Sequence, residues 1–410
     1  MPPALRRHAA LLRTASAFRL LFAATLGSAV GTWMATIALT VDIKDRTNSA
    51  WWVSTLLFVT LVPSVVVGLA AGPLVDRLSR RRLLVGADLA RLAVFAVLPF
   101  VGSATAIVLL AGVAGIANSF FRPAVLAGVP NLVAESELAR GTSLLQAADW
   151  VATAIGPIVA GALVGVSGPH VVYWINAATF LLSALLILRI PARLLQSEER
   201  ITRGHWRDLR EGISEFGRSR PLLTALIAFG FAVVATGLVN VAEIFLATHV
   251  LSAGAFGYGL LWTATGIGLV IGSLLVGGLL ERRSALGIYP WVFAPWALGA
   301  LAAGIAPNIW LAAAAMLLSG FGNGLTFPIT VLIVQSSTVD RIRGRVFTVI
   351  IGAHNALLGL SFAAAGALTK DYGARWVYGI AAGCLFAGAA TAFALTRRAP
   401  RPVVRPEQAA

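Results

Sequence analysis

Long apolar runs, broken by short polar stretches, set the pattern of this chain. Twelve of the runs are close to the roughly 20 residues that an α-helix needs to cross a lipid bilayer. The pattern predicts an all-α integral membrane protein with twelve transmembrane helices. Their approximate limits are 18–41, 51–72, 83–101, 104–121, 141–165, 170–190, 221–247, 256–280, 285–304, 309–333, 345–369 and 375–396.

The composition agrees with a bilayer environment. Of the 410 residues, 58% are hydrophobic and 12% are charged, whereas soluble proteins carry about 25% charged residues. The formal net charge of +15 does not indicate a nucleic-acid partner, because the arginines lie in short clusters between apolar runs. The single cysteine, Cys384, excludes a disulfide framework and a cysteine metal site. We expect no metal and no cofactor.

The basic residues predict the orientation of the helices. With the N-terminus in the cytoplasm, 27 lysines and arginines fall in cytoplasmic segments and four fall outside. Cytoplasmic loops carry an excess of these residues, so both termini are expected in the cytoplasm.

The longest polar interruption divides the helices six and six. The predicted units are an N-terminal half at 1–190, a cytoplasmic linker at 191–220, a C-terminal half at 221–398 and a cytoplasmic tail at 399–410. Apolar residues at helical spacing in the linker predict a short amphipathic helix, either on the membrane surface or as a plain solvated linker.

An internal repeat supports this division. With a shift of 205 residues, Gly72, Leu74, Asp76 and Arg77 fall on Gly277, Leu279, Glu281 and Arg282. With the same shift, Gly115, Asn118 and Pro123 fall on Gly320, Asn323 and Pro328, and Arg140 falls on Arg345. Two parallel six-helix repeats are a transporter architecture, with the substrate site between them near the membrane midplane.

The stretch GPLVDRLSRRRLL, residues 72–84, lies between the second and third apolar runs. Its dense charge cannot lie in hydrocarbon, so it must form a tight turn on the cytoplasmic side. Helix three then carries D-x-x-R as Asp88 and Arg91. The spaced residues of this turn are Gly72, Asp76, Arg77, Arg80 and Arg81.

With these residues the chain resembles the major facilitator superfamily, whose signature loop joins helices two and three. The resemblance implies that Asp76 takes part in gating between the halves, with Asp88 and Arg91 as a structural gate pair. Helix five carries Gly156, Pro157 and Gly161 in AIGPIVAG, which is similar to the Gly-Pro motif of drug/proton antiporters. FFRPAVLAGVPNLV, YWINAATFLLSALL, DLREGISEF and RGRVF look like the macrolide-efflux and enterobactin-exporter branch.

The resemblance implies a secondary transporter of the bacterial inner membrane. We expect a monomer that exports a small amphipathic molecule, such as a drug, siderophore or metabolite, by proton antiport. Solute import and lipid handling of the lysophospholipid-flippase kind are the alternatives. Many of these antiporters have an arginine inside helix four, but 104–121 holds no charge. The resemblance therefore does not imply their arginine-centred proton relay.

The sequence contains no HExxH, GxSxG or Walker motif, so neither an enzyme nor an ATP-driven pump is predicted. Polar residues inside the apolar runs are instead candidates for a substrate cavity. The alternative for the Ser and Thr rows is helix packing or hydrogen bonding to their own helix. The candidates are Thr32, Thr36, Asn118, Asn240, Asn323, His354 and Asn355.

Two acids inside apolar runs are candidates for proton coupling, because an unpaired carboxylate in lipid is costly. Glu243 has no basic residue near it on its own helix, although a position near the helix end could let it reach water. Asp149 is the second candidate, and its alternative is a structural pair with Arg91 or Arg122. Asp42 is expected at the outer interface.

Overall fold

The computed structural model describes residues 11–70, 79–195, 219–281, 283–338 and 340–397. Gly72, Asp76 and Arg77 of the signature loop, most of the predicted linker and the predicted tail lie outside the described residues. The described part of the chain is helical, with no strands. The predicted all-α class is therefore confirmed.

Within the described residues, twelve long helices follow the twelve predicted segments in order. By length and composition eleven of them could cross a membrane, and the remaining one, α2, is apolar over its shorter described stretch Ala50–Pro63. In chain order they are α1 Ser16–Thr47, α2 Ala50–Ala70, α3 Arg80–Val97, α4 Ala104–Gly128, α5 Leu138–Ser167, α6 Pro169–Leu188, α7 Arg220–Phe245, α8 Gly254–Leu280, α9 Ala285–Ile305, α10 Ile309–Ser336, α11 Asp340–Tyr372 and α12 Ala374–Arg397.

Helix packing repeats from one half to the other. In the N-terminal half α1 packs on α5 and α6, α3 packs on α4 and α6, and α2 packs on α4. A shift of six helices gives the contacts of the C-terminal half: α7 on α11 and α12, α9 on α10 and α12, and α8 on α10. The two main contacts between the halves, here called joints, are α2–α11 and α5–α8. The same shift of six helices converts each joint into the other. The two six-helix halves are therefore related by pseudosymmetry.

The sequence repeat reappears in atomic contacts. A methyl group built on Gly115 of α4 would lie 2.9 Å from the carbonyl oxygen of Thr60 on α2. The residues 205 positions later, Gly320 and Thr265, make the same close approach between α10 and α8. Each threonine hydroxyl donates to the leucine carbonyl four residues before it, at 3.0 Å. Small residues at such crossings let helix backbones pack closely in lipid.

The two ends of the bundle differ in charge. The end at which α1 begins and α12 ends, here called the basic end, carries the arginines that begin α3 and α7 and that end α12. The other end, here called the opposite end, carries few basic residues among the described ones. They are Lys44, Arg46, Lys370 and Arg375.

α1 is longer than predicted and continues through its charged residues to Thr47. Asp42 accepts from Arg46 at 2.6 Å one turn later and from the Tyr173 hydroxyl of α6 at 2.9 Å. Arg46 also donates to the Gly102 carbonyl at 3.2 Å. Asp42 is buried near the opposite end of the bundle, where these partners satisfy its carboxylate.

Candidate functional site

A chain of four adjoining cavities runs through the middle of the bundle. The largest, here called the central cavity, has a volume of about 770 Å³ and lies between the halves. Two cavities of about 410 and 210 Å³ lie in the N-terminal half, and a small one of about 40 Å³ lies in the C-terminal half. Neighbouring cavities share lining residues, so together they connect the polar interiors of both halves.

The two walls of the central cavity differ in charge. The N-terminal half contributes Arg122 and Asp149 together with Gln146, Thr153, Trp33 and Trp150. Among the described residues, the lining from the C-terminal half includes no Asp, Glu, Lys or Arg and has several aromatic rings. The cavity therefore offers a wall with charged groups opposite an aromatic wall without them. The aromatic residues of that second wall are Phe229, Trp262, Trp296 and Phe327.

The central cavity extends from about the middle of the bundle toward the basic end. Near mid-depth the ring of Trp33 on α1 packs on that of Trp262 on α8, with ring centres 5.3 Å apart. Ser273 and Leu332 line the cavity nearer the ends of α8 and α10 at the basic end. The ring pair thus joins the halves on the side of the cavity toward the opposite end.

Arg122 and Asp149 form an ion pair of 2.9 Å between α4 and α5. Their side chains are 61% and 28% exposed, and both line the central cavity and the 410 Å³ cavity. The fourth helix extends past its predicted end to Gly128 and so includes Arg122. An arginine therefore does lie inside helix four, because the buried apolar pattern resumes after Pro123.

Asp88 and Arg91 form a fully buried ion pair of 2.6 Å on α3. Asp88 also accepts from the Ser183 hydroxyl at 2.7 Å, and Arg91 donates to the Asn118 side-chain oxygen at 3.1 Å. Two phenylalanine rings lie 4.3 Å from the Arg91 guanidinium, one from α4 and one from α6. Buried charges need such partners, and this cluster ties three helices together beside the N-terminal cavities.

The threonine row of α1 has both of the roles that the sequence left open. Thr32 and Thr36 line the two N-terminal cavities, as does Asn118. The hydroxyls of Thr32 and Thr36 also donate to the carbonyls four residues before them, at 2.7 and 3.0 Å. Their oxygens keep acceptor capacity toward the cavities, because a hydroxyl accepts as well as donates.

Glu243 is deeply buried in α7, with 2% of its surface exposed. The helix does not end there, since a single π-helical turn, Leu246–Val250, extends it. Glu243 therefore does not reach water at a helix end. It lines the 40 Å³ cavity with Asn240, and that cavity shares Thr236 and Trp262 with the central cavity.

The other candidate residues divide between the central cavity and its surroundings. Asn323 and His354 line the central cavity, and the His354 ring packs on Phe229 with centres 5.6 Å apart. Asn355 is half-buried and is not among the lining residues of the four cavities. No group of three or more His, Cys, Asp or Glu side chains that could hold a metal occurs in the described residues.

The Gly-Pro motif of α5 forms the joint with α8. Pro157 has no N–H, so the Thr153 carbonyl one turn earlier is not bonded within the helix. Gly266 of α8 lies against that carbonyl, at 3.1 Å from a built methyl group. A methyl group on Gly161 would lie 2.6 Å from the Ala255 carbonyl oxygen. Only glycine allows this approach of the two backbones. Gly156 faces α1 instead, where a methyl group would lie 2.7 Å from Trp33.

The described part of the signature loop begins at Ser79. Arg80 and Arg81 open α3, and the Arg81 guanidinium donates to the Leu188 carbonyl at the end of α6. Glu281, the repeat partner of Asp76, is exposed at the end of α8. Arg81 therefore attaches the start of α3 to α6 at the basic end.

The sequence reasoning missed the aromatic wall. Tryptophan and phenylalanine inside an apolar run give no signal that separates a cavity from a packed or lipid-facing position. The missed residues are Phe229, Trp262, Trp296 and Phe327 of this wall, together with Trp33 and Trp150 of the N-terminal half.

The family profile of the Major Facilitator Superfamily matches residues 21–264 and 235–410. The chain belongs to this superfamily. It is 24% identical to "Uncharacterized MFS-type transporter YfiS" of Bacillus subtilis, over 92% of this chain and 92% of that protein. It is 28% identical to "Enterobactin exporter EntS" of Citrobacter koseri, over 82% of this chain and 81% of that protein.

A solved structure supports the fold. The crystal structure of a bacterial homologue of the iron transporter ferroportin, in an inward-facing state, superposes with a TM-score of 0.78. The match covers 94% of this facilitator and all of the other chain, at 13% sequence identity. This likeness confirms the facilitator fold of the multi-pass membrane protein.

Proposed function

We propose that this facilitator exports a small amphipathic molecule across the bacterial inner membrane in exchange for protons. The observation that carries the proposal is the central cavity with its two unlike walls. An apolar or aromatic body fits against the tryptophan and phenylalanine rings of the C-terminal half. A polar or charged group fits against Arg122, Asp149 and Gln146 of the N-terminal half. The likeness to an exporter favours outward transport.

The orientation that we propose places the basic end and both termini in the cytoplasm, because of the excess of arginine there. The central cavity then reaches toward the cytoplasm, and the contact of Trp33 with Trp262 lies on its periplasmic side. Such an arrangement accepts substrate from inside the cell. Release outside requires that the halves separate at the opposite end.

Protons are the driving ion in this proposal, and Glu243 is the group that carries them. It is a buried acid beside the substrate cavity, and no described cation pairs with it. Asp149 is the second choice, because Arg122 at 2.9 Å already balances its charge. An acid that is buried without a partner is costly when charged, so it is suited to gain and lose a proton as its surroundings change.

The test uses purified protein in proteoliposomes with an imposed pH gradient and a panel of fluorescent amphipathic dyes. We expect wild-type protein to accumulate dye against its concentration gradient. Glu243→Gln should lose this accumulation yet still exchange dye at equal pH, because a neutral side chain uncouples transport from protons without blocking the cavity. Gradient-driven accumulation by Glu243→Gln at the wild-type level would contradict the assignment.

The same assay separates the alternatives. Dye movement that ignores the pH gradient in wild-type protein would contradict proton antiport. Accumulation in the reverse direction would show an importer. Transbilayer movement of a fluorescent lysophospholipid, with no movement of the dyes, would show a lipid-handling facilitator.

A further inference from the structure

Glu243 Oε1 and three buried polar atoms near it have no hydrogen-bond partner among the described residues. They belong to three helices of the C-terminal half. The atoms are Glu243 Oε1 on α7, the Tyr258 hydroxyl and Trp262 Nε1 on α8, and the Tyr378 hydroxyl on α12.

The groups that face Glu243 are complementary to it. The phenol groups of Tyr258 and Tyr378 lie near the Glu243 carboxyl, and no ion pair among the described residues includes Glu243. A phenol hydroxyl can donate to a carboxylate or accept from a carboxylic acid. A buried polar group without a hydrogen-bond partner destabilises a fold, so a cluster of such groups is unfavourable if it serves packing alone.

Tyr258 lies at the boundary between the halves. Its hydroxyl lies close to Thr40 of α1 and to the Trp262 indole, although at no geometry that makes a hydrogen bond. The Thr40 hydroxyl donates to the Thr36 carbonyl at 2.8 Å, which leaves the Thr40 oxygen able to accept. Small movements of α1 against α8 would therefore make or break a contact between these two hydroxyls.

Thr40 lies between the cluster and a second cavity. It lines the 210 Å³ cavity of the N-terminal half, which also contacts Arg91 and Asn118 but none of the aromatic wall of the central cavity. On the other side, Glu243 lines the 40 Å³ cavity next to the central cavity. A site of this volume and polarity is large enough for ordered water. Glu243 thus lines one cavity and Thr40 lines another, and the two cavities belong to different halves.

We propose that Tyr258 is a proton relay that connects Glu243 to Thr40 and the 210 Å³ cavity of the N-terminal half. In the relay, the Glu243 carboxyl gives its proton to the Tyr258 oxygen while the phenol proton leaves for the Thr40 oxygen. Thr40 then releases its own hydroxyl proton to water in the N-terminal cavity. One proton moves in total, and each hydroxyl ends with one proton. The inference rests on the proposed proton exchange at Glu243.

Tyr258→Phe tests the relay, since it removes one oxygen and keeps the buried ring. We expect the variant to lose gradient-driven dye accumulation in proteoliposomes and to keep dye exchange at equal pH. Thr40→Val, on the N-terminal half, should likewise lose gradient-driven accumulation and keep exchange at equal pH.

The matched control is Tyr289→Phe. Tyr289 is also a fully buried tyrosine of the C-terminal half, but its hydroxyl is bonded to Thr330 at 2.8 Å and lines none of the four cavities. This variant should keep both activities. An equal loss of accumulation in Tyr289→Phe and Tyr258→Phe would show a packing effect and overturn the relay.

Infrared difference spectroscopy supplies a readout that packing alone does not change. The carbonyl band of protonated Glu243, identified by its loss in Glu243→Gln, should shift in Tyr258→Phe and stay in place in Tyr289→Phe. An unshifted band in Tyr258→Phe, or normal accumulation by that variant while Glu243→Gln is uncoupled, would overturn the relay and leave the proposed function standing. Normal accumulation by Glu243→Gln would instead overturn both.

Discussion

Arg122 on α4 and Asp149 on α5 form an ion pair of 2.9 Å that joins the two helices at the wall of the central cavity. The Arg122 side chain is 61% exposed, and a solvent-exposed ion pair contributes only about 0–1 kcal/mol to stability. We therefore expect the pair to matter for the lining of the cavity more than for the stability of the fold. It presents one cation and one anion to a bound molecule.

Asp149→Asn and Arg122→Gln are each expected to raise the KM for transport while leaving gradient-driven accumulation intact. Each removes a charge from the wall of the proposed substrate cavity, and neither changes Glu243, the proposed proton carrier. The measurement is the initial rate of dye transport against dye concentration. Loss of accumulation with an unchanged KM in Asp149→Asn would move proton coupling from Glu243 to Asp149.

Gly259→Ala should force α5 and α8 apart at the opposite end. A methyl group at Gly259 would contact the Pro157 carbonyl and lie 3.2 Å from the Gly161 Cα. Overpacking of this kind typically costs about 1–3 kcal/mol, and here separation of the helices relieves it. Gly165→Ala on α5 is the control, because nothing lies within 4 Å of its added methyl group.

The separation can be measured between spin labels at exposed Val166 of α5 and at exposed Val250, in the π-turn that leads into α8 and contacts it, in a background in which Cys384 is replaced by serine. We expect Gly259→Ala to shift the label distances to longer values and Gly165→Ala to leave them unchanged. Identical distance distributions in the two variants would contradict the prediction that the contact at Gly259 keeps α5 and α8 close together.

Asp76→Asn should impair transport without preventing membrane insertion, because the resemblance gives this charge a gating role. Glu281→Gln should have a smaller effect, since it is exposed and its loop lacks the full arginine set. Transport rate and protein level in the membrane are measured together. If both variants lose protein level equally, the acids stabilise the fold and do not gate it.

The orientation can be checked with reporter fusions. Fusions after Ala10 and at Gln196 should report a cytoplasmic location, and a fusion near Ser252 should report a periplasmic one. The physical reason is the count of 27 inside and four outside basic residues. A periplasmic signal at Gln196 would contradict the division into six helices on each side.

The fold could be predicted from the sequence because the bilayer restricts what an apolar run of spanning length can become. The helix ends were less predictable. α1 continues through Asp42 because Arg46 and Tyr173 neutralise and bind its carboxylate, and no local pattern announces a partner 131 residues away.

The candidate site was predictable only where polarity marked it. Asn323 and His354 stood out in apolar runs, and both line the central cavity. Glu243 stood out too, but its burial depends on a π-turn that the sequence did not indicate. Tyr258 and Tyr378 gave no signal, because their proximity to Glu243 comes from the packing of three separate helices.

The two joints between the halves are packed in different ways. At α5–α8, glycines on both helices bring backbone against backbone. At α2–α11, side chains of α2 fill the space over glycines of α11, with the Phe58 ring 3.2 Å from a methyl group built on Gly359. Side chains can change rotamer as two helices slide, whereas a close backbone contact has no side chain that could adjust. We therefore expect the packing of α2 on α11 to change more than that of α5 on α8 when the two halves move against each other.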